Sequence, residues 1–244
     1  MHLGIIPDGN RRYASENGIG NEEAYRKSKD VIIDVLKNHR KLPADLTEVT
    51  FYLLSEENLR RKGEEIETVF ELLYEHMEEV MEEINGDTKV KDLARKHIDD
   101  EEALRSLDEG FSFNWARTKP EAVPEHIRNK LEELEERFSD GERRLNALIS
   151  YTGKSDIVNA IHKAGSNPDV KKKDVKKHLE IDTDIDFVVR TGDNPRRECL
   201  SGFPIWQSSY SEFYHIKKHF PAVEVEDVIE AFEHYNQLRR RKGA

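Results

Sequence analysis

Residues 3–14 read LGIIPDGNRRYA. Leu3 to Ile6 are small or apolar and suit a buried strand, and Pro7 to Gly9 form the turn that stops it. Asp8, Asn10, Arg11 and Arg12 then place polar and charged groups where the strand ends. A strand that delivers charge at its carboxyl end, followed by a helix starting just after Gly9, is the opening of an α/β unit.

The rest of the chain repeats that alternation. In NEEAYRKSKDVIIDVLKN, residues 21–38, Ala24, Ser28, Val31, Ile32, Val35 and Leu36 keep helical spacing. EVTFYLLS, residues 48–55, is rich in β-branched and aromatic residues and reads as a strand. From Glu64 to Ile84 the positions of Ile66, Val69, Phe70, Leu73, Met77, Val80, Met81 and Ile84 draw one apolar stripe along a helix of about 30 Å. RRLNALISY and DIDFVVRT read as buried strands, and EVEDVIEAFEHYNQLRRR closes the chain as a helix with its arginines at the favourable end. Residues 95–125 are the least readable stretch. The expected fold is a single α/β domain over 1–244, with a central, mostly parallel sheet and helices on both faces.

Open α/β sheets bind ligands at the carboxyl ends of their strands. The first strand is followed by Asp8 to Arg12, the second by Ser55 to Arg61. TGKSD follows ALISY, and Arg190 to Arg197 follow from DFVV. Each of the four ends carries a cation. Alone, each is an ordinary solvated loop; together they concentrate positive charge in one crevice and point to a multiply charged anion such as diphosphate. Gly9 and Gly153 permit close backbone approach, and a helix N-terminus adds N–H donors. A carboxylate among phosphate ligands is repulsive unless a divalent cation bridges them, so Asp8 implies Mg2+.

Composition narrows the alternatives. The 244 residues carry 39 Lys+Arg against 50 Asp+Glu, a formal charge of −11, which argues against a general nucleic-acid binder. Cys199 is the only cysteine, so no internal disulfide or four-cysteine zinc site is expected, and a reducing cytoplasm fits. The N-terminus has no basic region followed by a long apolar run, and no apolar stretch reaches membrane-span length.

On these residues the chain resembles the cis-prenyltransferases, the Z-type isoprenyl diphosphate synthases that include undecaprenyl diphosphate synthase. IIPDGNRRYA resembles their opening signature, with His2 also in place. Ser55, Asn58 and Arg61 match a Ser-x-Glu-Asn-Trp-x-Arg stretch, and LNALISYTGKSDIV is similar to an Asn-Tyr-Gly-Gly-Arg-x-Asp-Ile region. Arg190, Ser201, Trp206, Gln207, Tyr210 and Glu212 match the segment from Arg-Thr-x-Gly to Trp-Gln-x-x-Tyr-x-Glu. The resemblance implies condensation of an allylic prenyl diphosphate with isopentenyl diphosphate, forming Z double bonds and releasing diphosphate, with Mg2+ required. It implies that Asp8 and Glu212 hold the metal, and that Gly9, Asn10 and Arg12 grip the allylic diphosphate, with Arg11 a further candidate for substrate binding. Arg190, Ser201 and one of Arg196 or Arg197 are implied for isopentenyl diphosphate, and Ser55, Asn58 and Arg61 stand near the reacting carbons. A hydrophobic tunnel for the prenyl tail, a homodimer and peripheral membrane contact during product release are implied as well. The stripe from Ile66 to Ile84 is read as tunnel wall, as core, or as both. Burying five carbons at about 0.8 kcal/mol each gives roughly 3–4 kcal/mol per isoprene unit.

Several positions depart from the family pattern. Asn21 and Tyr25 stand where Arg and His help bind the allylic diphosphate, with Arg11 or Arg26 as compensating cations. Leu59 replaces Trp, Lys154 replaces Arg, and Asn194-Pro195 replaces a Glu-containing stretch. These changes leave open a non-standard condensation with another isoprenoid diphosphate acceptor. A non-catalytic partner subunit is a further alternative, although it would be expected to lose Asp8. A phosphoesterase using Asp8 as nucleophile lacks its second Asp, since Asn10 fills that place. TGKS lacks the first glycine of a phosphate loop, with Leu148 there, and DTDIDF has Phe187 where a calcium loop needs Gly. Asp99-Asp100 does not continue into the Asp-Asp-x-x-Asp motif of trans-prenyltransferases. His215 and His219 have the four-residue spacing of one helix face, but Ile216 stands where a metalloprotease motif needs Glu, and they are read as ordinary surface or core histidines. Cys199 lacks a nearby base.

Overall fold

In the computed structural model the described residues are 1–42, 46–60, 65–86, 110–165, 170–193 and 199–241. They contain six strands: β1 (His2–Ile6), β2 (Glu48–Ser55), β3 (Phe111–Ala116), β4 (Arg143–Tyr151), β5 (Phe187–Thr191) and β6 (Glu212–Ile216). These form one sheet in the order β3-β4-β2-β1-β5-β6, and every pairing is parallel. The helices are α1 (Asn10–Asn17), α2 (Asn21–Lys37), α3 (Glu65–Asn85), α4 (Glu125–Arg137), α5 (Gly153–Ala164), α6 (Lys172–Lys176) and α7 (Val225–Arg241).

Side-chain alternation along the strands explains why both faces are covered. Leu3 and Ile5, Val49 and Phe51, Leu145 and Ala147, and Phe187 and Val189 enter the larger core, which α2, α3, α4 and α7 complete. Ile6, Tyr52, Leu148 and Val188 turn to the other face, where Ile181, Ile185 and Phe203 meet them. Ala160 of α5 and Val175 of α6 build a smaller cluster with Trp206 packed against it. All five residues of β1 are buried. Gly4 is required there because a Cβ would lie 2.5 Å from Phe203 Cζ.

The expected strands and long helices are present. The α3 stripe lies in the larger core: Phe70, Met77, Val80 and Met81 are buried, while Ile66, Val69, Leu73 and Ile84 are partly exposed and packed against it. Two strands were absent from the sequence reading. β3 lies within the stretch that resisted interpretation, although Phe111, Phe113 and Trp115 alternate inward. β6, EFYHI, is an edge strand buried fully only at Ile216, so it lacks the apolar run of its neighbours. His215 is therefore on a strand, paired with Arg190, and His219 lies beyond it, not on a shared helix face.

The strand order decides where a site can form. From β1 the chain adds β2 alongside, skips to β3 at the edge, fills in β4 between them, and then returns to add β5 and β6 on the other side of β1. The reversal leaves a crevice between the carboxyl ends of β1 and β5. The opposite rim is sealed by a buried polar layer. His2 Nε2 and Thr50 Oγ1 are 2.7 Å apart. Asn146 donates to Glu48 at 2.7 Å and to Thr50 at 2.9 Å, and Asn114 donates to Asn146 at 2.7 Å. Burial pushes the His2 pKa down to about 4 against the raising influence of Glu48 and Asp186.

Candidate active site

The crevice between β1 and β5 brings together the two charges that the sequence holds 182 residues apart. Asp8 follows β1; its backbone N–H donates to Thr191 Oγ1 at 2.9 Å, which ties the turn to the end of β5. Arg190 Nη2 donates to Asp8 Oδ2 at 2.6 Å. Arg12, one turn into α1, donates through Nη2 to Asp8 Oδ1 at 3.0 Å and through Nη1 to Asp193. The Asp8 carboxylate is thus held between two guanidinium groups. Burial opposes its ionisation, but the hydrogen bond and charge of Arg190, with the charge of Arg12, outweigh that and keep its pKa below the ordinary value.

Arg190 is 2% exposed. Its Nη1 donates to the Cys199 carbonyl at 2.5 Å and to Ser201 Oγ at 2.7 Å. Among the described residues its buried Nε has no hydrogen-bond partner. A buried guanidinium N–H left unmatched by protein is a donor suited to an anionic ligand.

Gly9 carries the turn into α1 at φ 104°, a left-handed conformation that favours glycine. A Cβ there would also stand 2.4 Å from His219 Nδ1. Asn10 begins α1, and its Oδ1 accepts a hydrogen bond from Ser28 of α2. Gly192, at φ 122°, lets the end of β5 pass close to both Arg12 and Asp8. His219 sits on the far side of this loop, with Nε2 3.1 Å from Glu16 Oε2 and Nδ1 3.7 Å from Asp193 Oδ1.

A second group of polar residues stands over β2 and β4. Ser55 Oγ accepts from the Asn58 backbone N–H at 3.1 Å. The Tyr52 hydroxyl donates to the Tyr151 carbonyl at 3.2 Å, and burial pushes its pKa up although a hydrogen bond with Ser55 acts the other way. The segment after Ser201 joins the two groups: a Cβ at Gly202 would lie 3.0 Å from Tyr52 Oη and 2.9 Å from Thr152 Oγ1. The Gly153 N–H donates to the Gly202 carbonyl at 2.7 Å, which pins the start of α5 to the same segment.

Of the residues singled out from sequence, Asp8, Gly9, Arg12, Arg190 and Ser201 meet at one rim, with Asn10 at the start of α1 and Ser55 and Asn58 over β2. Arg11 is exposed. Arg26, the alternative compensating cation, pairs with Glu22 at 2.7 Å. Arg61, Arg196 and Arg197 lie outside the described residues, as do Asn194, Pro195, Asp99 and Asp100. Glu212 does not stand beside Asp8 within the chain, and its pairing with Asp8 on a metal stays a proposal. It opens β6 opposite Phe187, whereas Asp8 is level with Gly192; five residues of strand separate those levels, about 16 Å at 3.3 Å per residue. His2 belongs to the opposite rim for the same reason. Asp193 was not singled out from sequence, because strand ends were searched for cations, and His219 was read as an ordinary histidine, because the end of β6 was not recognised.

The chemistry of the Asp8 carboxylate fits Mg2+. A carboxylate has about four acceptor positions, so two guanidinium partners are compatible with a cation, and magnesium often takes one carboxylate together with substrate oxygens.

A carboxylate clamped by arginines at the switch point of a parallel sheet, beside glycine-rich turns, defines an α/β protein built to bind phosphorylated ligands. The comparisons narrow this class. Residues 6–243 match the model of the prenyltransferase family, whose description names undecaprenyl diphosphate synthase. A tritrans,polycis-undecaprenyl-diphosphate synthase (geranylgeranyl-diphosphate specific) from Pyrobaculum aerophilum is 31% identical over 251 residues, covering 99% of this chain and 95% of the relative. An isoprenyl transferase from Thermus thermophilus is 31% identical over 99% of this chain and 88% of its own length. The fold is also that of lavandulyl diphosphate synthase from Lavandula x intermedia, solved with dimethylallyl diphosphate. That match has a TM-score of 0.78 at 20% identity, over 96% of this chain and 94% of the other. The chain belongs to the undecaprenyl diphosphate synthase family of prenyltransferases, and it is a prenyl-transferring enzyme.

Proposed function

We propose that this prenyltransferase extends an allylic prenyl diphosphate with isopentenyl diphosphate, in the Z configuration, with Mg2+ as cofactor, and that residues 1–244 work as one catalytic domain. The observation that carries this reading is the Asp8 carboxylate clamped by Arg12 and Arg190 at the β1/β5 crevice. When the allylic C–O bond breaks, a C–C bond to the isopentenyl alkene forms, diphosphate departs and the acceptor loses a proton. Arg12 and the start of α1 bind the allylic diphosphate and meet the charge that develops as it leaves. Arg190, with its unmatched Nε, and Ser201 hold the diphosphate of the acceptor. Ser55 and Asn58 orient the reacting carbons beside the Tyr52 hydroxyl. A bound Mg2+ would be held by Asp8 and would supply further neutralisation of diphosphate oxygens. The partly exposed end of the α3 stripe, Ile66, Val69 and Leu73, supports its role as the wall of a tunnel for the growing chain.

The test is incubation with labelled isopentenyl diphosphate and dimethylallyl, geranyl, farnesyl or geranylgeranyl diphosphate, followed by product mass and double-bond analysis. The geranylgeranyl arm follows from the name of the Pyrobaculum relative. Z-configured elongation products that require Mg2+ are expected. Asp8→Ala should reduce turnover by at least about 100-fold, the scale for removing one preorganised charge-stabilising group. Undiminished turnover in that variant removes Asp8 from the mechanism. Products joined to a different acceptor favour the non-standard condensation.

A further inference from the structure

Glu16, Asp193 and His219 each bring one donor atom to within 4.8 Å of the others. They come from α1, from the loop after β5 and from the loop after β6. His219 is 7% exposed, and among the described residues its Nδ1 has no hydrogen-bond partner. The Glu16 and Asp193 side chains are 58% and 50% exposed, so both carboxylates can adjust.

We propose that these residues form a binding site for one zinc-type divalent cation, separate from the Asp8 diphosphate site. Glu16 lies 3.1 Å from His219 Nε2. Accepting the Nε2 proton fixes the tautomer that leaves a lone pair on Nδ1, the usual carboxylate–histidine–metal arrangement. Nδ1 and Asp193 Oδ1, 3.7 Å apart, can then share an ion at the usual distances of about 2.0–2.2 Å. Water completes the coordination on the exposed side. Gly9 is what lets the backbone pass this close to the ring, since any side chain there would begin 2.4 Å from Nδ1. An imidazole nitrogen with a carboxylate suits Zn2+ or Co2+ better than Mg2+, which prefers oxygen ligands. Because Asp193 also pairs with Arg12, the cation draws on a carboxylate that otherwise restrains an arginine of the diphosphate site.

The test is titration of the full-length chain with Co2+, without prenyl substrates, read by visible absorption and by competition with Zn2+. One equivalent per chain is expected, with the absorption abolished by Zn2+. His219→Ala and Asp193→Asn should remove the signal. Glu16→Gln, a change on an exposed side chain that leaves the core untouched, should weaken affinity about 10- to 100-fold, the usual effect of losing an outer-sphere partner. Asp8→Asn should still bind Co2+. Absence of uptake by the wild type overturns the proposal. So does affinity unchanged in both Glu16→Gln and Asp193→Asn, or uptake lost in Asp8→Asn while the other variants retain it.

Discussion

Arg12 serves two carboxylates, Asp8 and Asp193, while Arg190 holds Asp8 from the other side. Asp8 therefore contributes to stability as well as to the ligand binding proposed for it, and the two roles separate by pH. Its folded pKa is depressed, so its stabilisation is complete above the unfolded value of about 3.9 and is lost as pH falls through the lower folded value. The melting temperature of the wild type should exceed that of Asp8→Asn near pH 6, and the gap should narrow as pH drops below about 4. A gap that stays constant to low pH would show that the guanidinium clamp contributes nothing through charge. At this scale much of the site was legible. Asp8, Arg12 and Arg190 follow strands in a pattern that electrostatics alone can read. Asp193 was not singled out, because a carboxylate beside arginines looks like a surface partner until the fold places it beside a buried imidazole. His219 was read as an ordinary histidine because the strand before it, β6, was not recognised.

The strands and helices show what pattern can and cannot reveal. β1, β2, β4 and β5 are apolar because neighbours bury them on both faces, and α3 declares itself by its stripe. β6 is an edge strand, so its half-exposed EFYHI carries little apolar signal. β3 does alternate, but it follows a long charged stretch and offers only Phe111, Phe113 and Trp115 as cues. The stripe itself divides by burial. Met81→Ala, at a buried core position, should cost about 2–5 kcal/mol of stability in denaturant unfolding. Leu73→Trp, at a partly exposed position, should leave stability nearly unchanged and shorten the prenyl product if that end lines the tunnel. Equal product lengths would make the stripe core alone. The polar layer at the opposite rim adds a second acid response. Folded His2 takes a proton only near pH 4, the unfolded chain near 6.5, so stability should fall as pH drops between those values. His2→Asn should flatten that slope in urea titrations; an unchanged slope would assign it to other groups.

Across the whole molecule, a chain of formal charge −11 presents a compact cationic pair at the rim of an all-parallel sheet. The overall architecture was readable because a parallel sheet makes four strand ends converge without any knowledge of strand order. The order was not readable, nor was the register that sets Glu212 at the start of β6 and Asp8 beyond the end of β1. Association of two chains remains a proposal, supported by Tyr210, which is 97% exposed two residues before Glu212 and the edge strand. Light scattering should give twice the 28.5 kDa chain mass, and Tyr210→Glu should shift the population toward monomer. A wild-type mass of one chain would place the acidic residue of β6 outside any shared site. No helix among the described residues is long and apolar enough to cross a membrane.

The carboxylates that grip Arg12 and Arg190 are resident counter-ions tethered to the chain. They lower the net positive charge that an incoming diphosphate meets, so Asp193→Asn, which frees one side of Arg12, should make inorganic diphosphate a stronger inhibitor.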